Sequence, residues 1–349
     1  MSYFTRVGVI LSLELRQRVR GIAWYVLLAI FVGLIAIVTV LLGIAFSGVA
    51  DNSFRGTTFS TIIYFVLLLG TLVTPALSGN AINGDREAGT LATTQVTLVT
   101  TWQLILGKFL AAWVTALAFL AAAVPFLVYS AIAGGMDPAV ITVSVLVLAI
   151  ELGVVAAIGV GLSGILNRAL FSIVATYLIV AALSIGTVIA FTLGGAVVHT
   201  TVTSITIEPA TFTESGVGSN CGQPTVSTYE TPRFDYFWGV LVANPYVLLA
   251  DAVPTEFSPQ GYPTDLFGNL KFALRSAQIA PDTTVTYDGC AQLPSGAEPP
   301  VPEQVIASTV PGWFVGLVIQ LILGAGALVG AWARTMTPTG RLGKGNRIA

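Results

Sequence analysis

Six long apolar runs constrain this chain more than any other feature it carries. They cover roughly residues 22–46, 59–77, 104–131, 140–162, 169–193 and 312–332. A helix needs about 20 apolar residues to cross a hydrocarbon core about 30 Å thick, and each run meets that length. Leu, Ile, Val, Ala and Gly dominate all six. Charged residues make up only 9% of the chain, against roughly 25% in a soluble domain. A surface so poor in charge needs lipid as its solvent over much of its area. Arg16, Arg18 and Arg20 precede the first run. At 25 residues from Ile22 to Phe46 it outruns a signal-peptide core of about 7–15, so it reads as an anchor that stays. Pro75 and Pro125 should kink the second and third helices, leaving carbonyls for neighbouring helices or hydroxyls to satisfy.

Orientation follows from counting charges on alternate sides. With the N-terminus inside, the cytoplasmic basic residues are Arg6, Arg16, Arg18, Arg20, Arg86, Lys108, Arg168, Arg334, Arg341, Lys344 and Arg347. Only Arg55, Arg233, Lys271 and Arg275 fall outside. Of the acids, Glu14, Asp85 and Glu87 lie inside, Glu151 lies within a helix, and thirteen lie outside. The positive-inside rule therefore places both termini in the cytoplasm. An uncharged run at 236–250 is broken by Asn244-Pro245. At 1.5 Å per residue it reaches roughly 22 Å, too short to span. It reads as a re-entrant or interfacial pair of short helices near 234–252.

The fold class is then an all-α polytopic membrane protein of the plasma (inner) membrane. Residues 1–21 form a cytoplasmic amphipathic interface helix, with Phe4, Val7, Leu11, Leu15 and Val19 on one stripe and Arg16 and Arg20 off it. Residues 22–193 hold helices one to five, with a cytoplasmic loop at 78–103. An irregular extracellular insertion occupies 194–311, with strand-like pieces such as 283–287. The sixth helix is 312–332, and 333–349 is a basic cytoplasmic tail. The last helix contains Gly326-x-x-x-Gly330, a helix-packing pattern.

The chain has no Walker A loop. Gly107-Lys108 is followed by Phe109, and Trp102 stands where the loop needs its first glycine. If ATP is used, a separate chain must hydrolyse it. The segment that carries most information runs Ile82-Asn83-Gly84-Asp85-Arg86-Glu87-Ala88-Gly89-Thr90-Leu91, followed by Leu106-Gly107-Lys108-Phe109. Asp85 and Glu87 suit a helix N-terminus, and Gly89 lets the backbone turn. Such a short polar helix could seat in a groove on a cytoplasmic partner. The plainer reading is a solvated loop whose charges only set topology.

This segment resembles the permease subunits of ABC-2 type transporters. That family has an acid–basic–acid pattern and Gly-Thr between helices two and three, then a Gly-Lys pair at the head of helix three. Asp85, Arg86, Glu87, Gly89, Thr90, Gly107 and Lys108 occupy those positions. The Glu14–Arg20 stretch, the turn ending Asn167-Arg168, the Asn244-Pro245 segment and the basic tail also fit, and the tail resembles actinobacterial members. The resemblance implies a substrate exporter made of two permeases, identical or related, and two ATPase subunits that carry the ATP and Mg. It makes Gly84, Asp85, Arg86, Glu87, Gly89 and Thr90 a coupling helix that docks on the ATPase. Asn167 and Arg168 then form a second contact. The external insertion is longer than that family's usual pair of short helices.

Glu151 is the one ionisable residue deep in a predicted span. Its burial costs at least roughly 2.5–3.5 kcal/mol, so it should face the bundle or a wet cavity. It is either a transport-pathway residue or a structural partner of a nearby Ser, Thr or Asn. Cys221 and Cys290, the only cysteines, both fall on the oxidising side, which predicts a disulfide. The loop closed would be about 70 residues long and worth roughly 4 kcal/mol. His199, the only histidine, reads as a surface residue after helix five. Trp102, Trp113, Trp238, Trp313 and Trp332 read as an interfacial belt. One histidine and one deep acid supply no triad, dyad or metal site, so the chain itself is not expected to be an enzyme, nor to bind nucleic acid. Two other functions remain open: an ion-coupled transporter or channel without an ATPase, and an ABC-linked sensor of an extracellular ligand.

Overall fold

A computed structural model describes residues 3–46, 55–89, 100–208, 212–213, 216–217, 221–289 and 300–336. Among these, six helices are long and apolar enough to cross a membrane. The chain divides into two compact units, residues 1–182 with 317–349, and residues 183–316.

The first unit opens with α1, Tyr3–Arg20, followed by α2, Ile22–Phe46, and α3, Arg55–Ser78. A five-residue helix, α4, Asn83–Glu87, leads to α5, Thr101–Gly134, and α6, Pro138–Ile165. The fifth span, α7, Ala169–Val197, begins in this unit. The last, α12, Trp313–Thr335, returns to it from Leu317.

Helix α6 is the centre of this unit because small residues let backbones approach it closely. A Cβ placed on Gly70 would sit 2.5 Å from the Leu152 side chain, and one on Gly159 would sit 1.9 Å from Ser78 Oγ. Cβ atoms on Gly161 and Gly164 would each lie 2.5 Å from atoms of Ala327 and Ala331. These contacts are the seam between α6 and α12, of the kind small residues make in membrane helix pairs. Of the expected Gly326-x-x-x-Gly330 pattern only Gly330 joins this seam, where a Cβ would lie 2.9 Å from the Ile165 side chain; nothing lies within 4 Å of a Cβ on Gly326. Trp24 and Phe31 of α2 each meet Phe119 of α5 edge-on, at 4.9 and 5.1 Å between ring centres.

The spans start and stop where local chemistry says they should. Thr100 and Gln103 form a reciprocal capping box at the start of α5. Asp137 caps α6 by accepting from Ala139 N, with Pro138 in the first turn. These caps begin α5 and α6 a few residues before their apolar runs. Pro75 and Pro125 lie inside helices, as expected. Beside Pro75, the Tyr177 hydroxyl donates to Leu72 O at 2.6 Å.

In the second unit, strand β1, His199–Ile207, is the middle of a three-stranded sheet. It pairs antiparallel with β4, Thr225–Pro232, and parallel with β5, Thr284–Asp288. Strands β2, Phe212–Thr213, and β3, Gly216–Val217, pair with each other. The insertion is therefore not irregular, because the alternation in β1 supplies a template for two edge strands. Exposed His199 opens β1. Two short helices, α8, Trp238–Leu241, and α9, Pro245–Ala252, lie where a re-entrant or interfacial pair was expected. They are followed by α10, Leu266–Ser276, and α11, Pro302–Ser308.

Asn244 links α9 to α7. Its Oδ1 caps α9 by accepting from Tyr246 N at 2.9 Å. Its Nδ2 donates to Ser184 O at 2.6 Å and to Thr187 Oγ1 at 2.9 Å. Ser184 lies in a π-helical turn, Ala182–Gly186. At the far end of the unit, Asp251 Oδ2 accepts from Gly312 N and Trp313 N at 2.7 and 2.9 Å. An acid there complements the positive end of the α12 dipole. Arg275 holds the other Asp251 oxygen at 2.8 Å and donates to Thr309 O at 2.8 Å.

No cysteine is free among the described residues. Cys290 lies outside them, and with it the predicted Cys221–Cys290 pairing. Thr90 and the basic tail beyond 336 lie outside them as well.

Candidate functional site

The Asp85-Arg86-Glu87 triplet is bound to three different helices. Asp85 Oδ2 pairs with Lys108 Nζ of α5 at 2.7 Å. Lys108, with only 2% of its side chain exposed, also pairs with Glu14 of α1. One lysine thus joins α1, α4 and α5. Arg86 turns the opposite way and donates to Leu166 O at 2.9 Å and to Gly164 O at 3.4 Å. These carbonyls lie at the C-terminal end of α6, which leaves acceptors open and favours a cation. Glu87 Oε1 accepts from Ala169 N, the first residue of α7, at 3.3 Å, where the dipole favours an anion.

A polar layer lies beneath the triplet. Ser163 Oγ accepts from Ile82 N at 2.9 Å and from Asn83 N at 3.0 Å. Asn83 Nδ2 donates to Ser172 Oγ at 3.1 Å, and Ser172 Oγ donates to Gly79 O at 2.6 Å. Asn83 Oδ1 accepts from Arg86 at 2.7 Å. Asn83, Ser163 and Ser172 are fully buried, and each has the partner that burial demands. Gly89 ends α4 at φ 72°, a conformation that favours glycine.

The coupling residues named from the sequence therefore divide into two groups. Asp85 and Arg86 are half-buried and held by intramolecular partners. Glu87, Gly89, Asn167 and Arg168 are exposed around them, as is Ala88, which was not in that set, with Arg168 lying 5.9 Å from the centre of the Phe171 ring. Gly84 packs against the Asn80 side chain.

Sequence reasoning missed the role of α1. Its buried residues are Val7 and Ile10, and Ile10 fills the space over Gly107, where a Cβ would lie 2.6 Å from it. Phe4 and Val19, placed on the apolar stripe, are exposed, whereas Glu14 and Arg18 turn toward the protein. Arg18 reaches Thr115 Oγ1 at 3.5 Å. Burial pushes its guanidinium below its ordinary pKa, with the charge of Glu14 opposing. The usable signal was the Ile10–Glu14–Arg18 spacing, which sets all three on one helical face.

Glu151 is 1% exposed in the middle of α6. Its side chain hydrogen-bonds Gln320 of α12, rather than the Ser, Thr or Asn expected. Its Oε1 has no hydrogen-bond partner among the described residues. An apolar groove of about 380 Å³ is walled by residues of α5, α6 and α12, with neither Glu151 nor Gln320 in its lining. Trp113 is one wall: it stacks on Phe109 with ring centres 6.0 Å apart and donates to Ala149 O at 2.9 Å.

Among the described residues no three His, Cys, Asp or Glu side chains converge as a metal site. No family model matches this chain, and no curated protein matches it.

Proposed function

We propose that this chain is the membrane-spanning permease subunit of an ATP-binding-cassette exporter, working with a second permease and two separate ATPase subunits. The observation that carries the reading is the triplet Asp85-Arg86-Glu87, tied to α5, α6 and α7. A push on the exposed ridge formed by Glu87, Ala88 and Gly89 would reach three spans without an intervening flexible loop. Lys108 extends the same linkage to α1. In this reading both termini and the triplet face the cytoplasm, the sheet-bearing unit lies outside, and Cys221 bonds Cys290.

The test is co-purification with an ABC ATPase chain from the same cell. Arg168→Glu and Ala88→Arg should abolish association while the permease remains folded. Retention of the ATPase by both variants would sink the docking role. For the bond, both cysteines alkylating without reductant would refute it.

A second reading is favoured by Glu151 Oε1, a buried carboxylate oxygen without a partner among the described residues. In it the chain is an ion-coupled transporter using Glu151 as the coupling group. Flux in liposomes holding this chain alone, abolished by Glu151→Gln, would decide for it.

A further inference from the structure

The polar pair in the α6–α12 seam holds more acceptors than donors. Glu151 and Gln320 are each 1% exposed, and a hydrogen bond joins their side chains. A carboxylate only accepts, so the donor in that bond is Gln320 Nε2. Glu151 Oε1 and Gln320 Oε1 then remain, both closed to solvent and neither meeting a donor among the described residues. Buried polar atoms are nearly always bonded, and an acid left ionised in mid-span is costly.

No neighbouring charge offsets that cost. Among the described residues no ion pair includes Glu151. In the spans around α6, Lys108 of α5 is taken by Glu14 and Asp85, while Arg55 opens α3 and Arg334 lies in the last turn of α12. The remaining titratable groups there are phenols: Tyr64 in α3, Tyr129 in α5 and Tyr177 in α7. Beside Glu151, Leu152 meets Gly70 of α3 and Gly153 meets Trp113 of α5.

One proton satisfies both oxygens. A protonated carboxyl gains an O–H donor, which Gln320 Oε1 can accept while Gln320 Nε2 keeps its bond to the other oxygen. Acid and amide then close a ring of two hydrogen bonds across the seam. A metal cation would need several more oxygens than these two, and the seam is tight: a Cβ on Gly324 would lie 3.3 Å from Ala157 Cβ.

We propose that Glu151 is a proton-binding site, held as the neutral acid with its O–H donating to Gln320 Oε1 and Gln320 Nε2 donating back. Parting α12 from α6 breaks both bonds and exposes the acid, so that water takes the proton and a carboxylate remains. This release step rests on the ion-coupled reading and makes the coupling ion a proton, not a metal cation. The ring itself stands under either reading.

Infrared spectroscopy of the full-length chain in lipid nanodiscs tests it, at a pH well above about 6, where Asp265 has ionised. The native chain should show a protonated-carboxyl stretch in sodium-free and sodium-rich buffer alike, and Glu151→Gln should remove it. Gln320→Leu should move the stretch to higher frequency, because the O–H loses its acceptor. Absence of the band from the native chain overturns the proposal, as does its loss on adding sodium or its survival in Glu151→Gln. A band unmoved in Gln320→Leu overturns the ring. Gln320→Asn, with the amide a methylene further away, gives the same readout if Gln320→Leu does not fold. Proton flux in liposomes holding this chain alone, lost in Glu151→Gln, would support release. No flux with the band intact sinks the release step and leaves the ring standing.

Discussion

The Asp85-Arg86-Glu87 end of the first unit and the Glu151 position in its middle treat charge in opposite ways. At the triplet, each charge meets a counter-charge or a helix terminus. At Glu151, a fully buried carboxylate bonds one amide and leaves one oxygen without a partner among the described residues. Charges of the first kind hold elements in place, and removing them costs stability. A charge of the second kind contributes little to folding. Substitution should separate the two cleanly.

The largest effect is expected at Lys108. Lys108→Met leaves Glu14 and Asp85 facing each other's field without the shared cation. Breaking a buried pair costs about 3–5 kcal/mol, and the partial exposure of Asp85 puts this case at about 3 kcal/mol. Thermal unfolding of the purified chain should show the loss, and an unchanged midpoint would mean that the pairing is dispensable. Arg86→Ala comes next, at about 2 kcal/mol, from the open C-terminal carbonyls of α6. Hydrogen exchange should rise at the end of α6 before it rises elsewhere.

Asp265 in the second unit adds a third kind of carboxylate, buried but capping α10 through Gly268 N at 2.8 Å. Burial raises its pKa to about 6, above the ordinary 3.8, with the Gly268 hydrogen bond opposing. The folded state then holds the proton more tightly, so this group's contribution is present below about pH 4 and lost as pH rises through about 6. Lys271 is pushed down to about 8, chiefly by burial, and its contribution rises between about pH 8 and 10.5. Asp265→Asn should flatten the lower window in proteolysis-monitored stability of this unit. A slope that persists in the variant would remove Asp265 as its source.

Arg168→Glu is expected to shift stability by only about 0.5 kcal/mol, as exposed substitutions do, whatever it does to ATPase association. Glu151→Gln should change it least, within about 0.5 kcal/mol. If Glu151→Gln instead destabilises as much as Lys108→Met, the carboxylate is structural and the contrast fails.

The centres of the six spans were legible because length and apolarity alone decide them. Their starts were legible too, in Thr100-x-x-Gln103 and Asp137-Pro138, but a hydropathy run does not weigh caps. The inward face of α1 was misjudged because Glu14 and Arg18 entered only the charge count for orientation, whereas Lys108 and Thr115 receive them across more than ninety residues of chain. Gln320 was passed over as a neutral residue in an apolar run. The α6–α12 seam was hidden because its alanines carry no glycine signature. The sheet eluded reading for a related reason. The alternation in β1 is local, but its pairing with β5 joins residues some eighty positions apart, and sequence spacing carries no sign of that register.

The π turn at Ala182–Gly186 has a consequence for chain length. It holds one residue more than an α-turn would, so α7 carries an extra residue without breaking. Each residue of a helix advances it by about 100°. Deleting one residue there would restore a regular helix and turn the rest of α7 by about that angle relative to Asn244 and Phe234. Ser184 O and Thr187 would leave Asn244, and the Phe191 ring would leave Phe234, which it now meets at 5.2 Å. The reading frame of the helix is thus kept by a side chain sixty residues away, and a one-residue deletion should be tolerated less well in this turn than in any loop of the second unit.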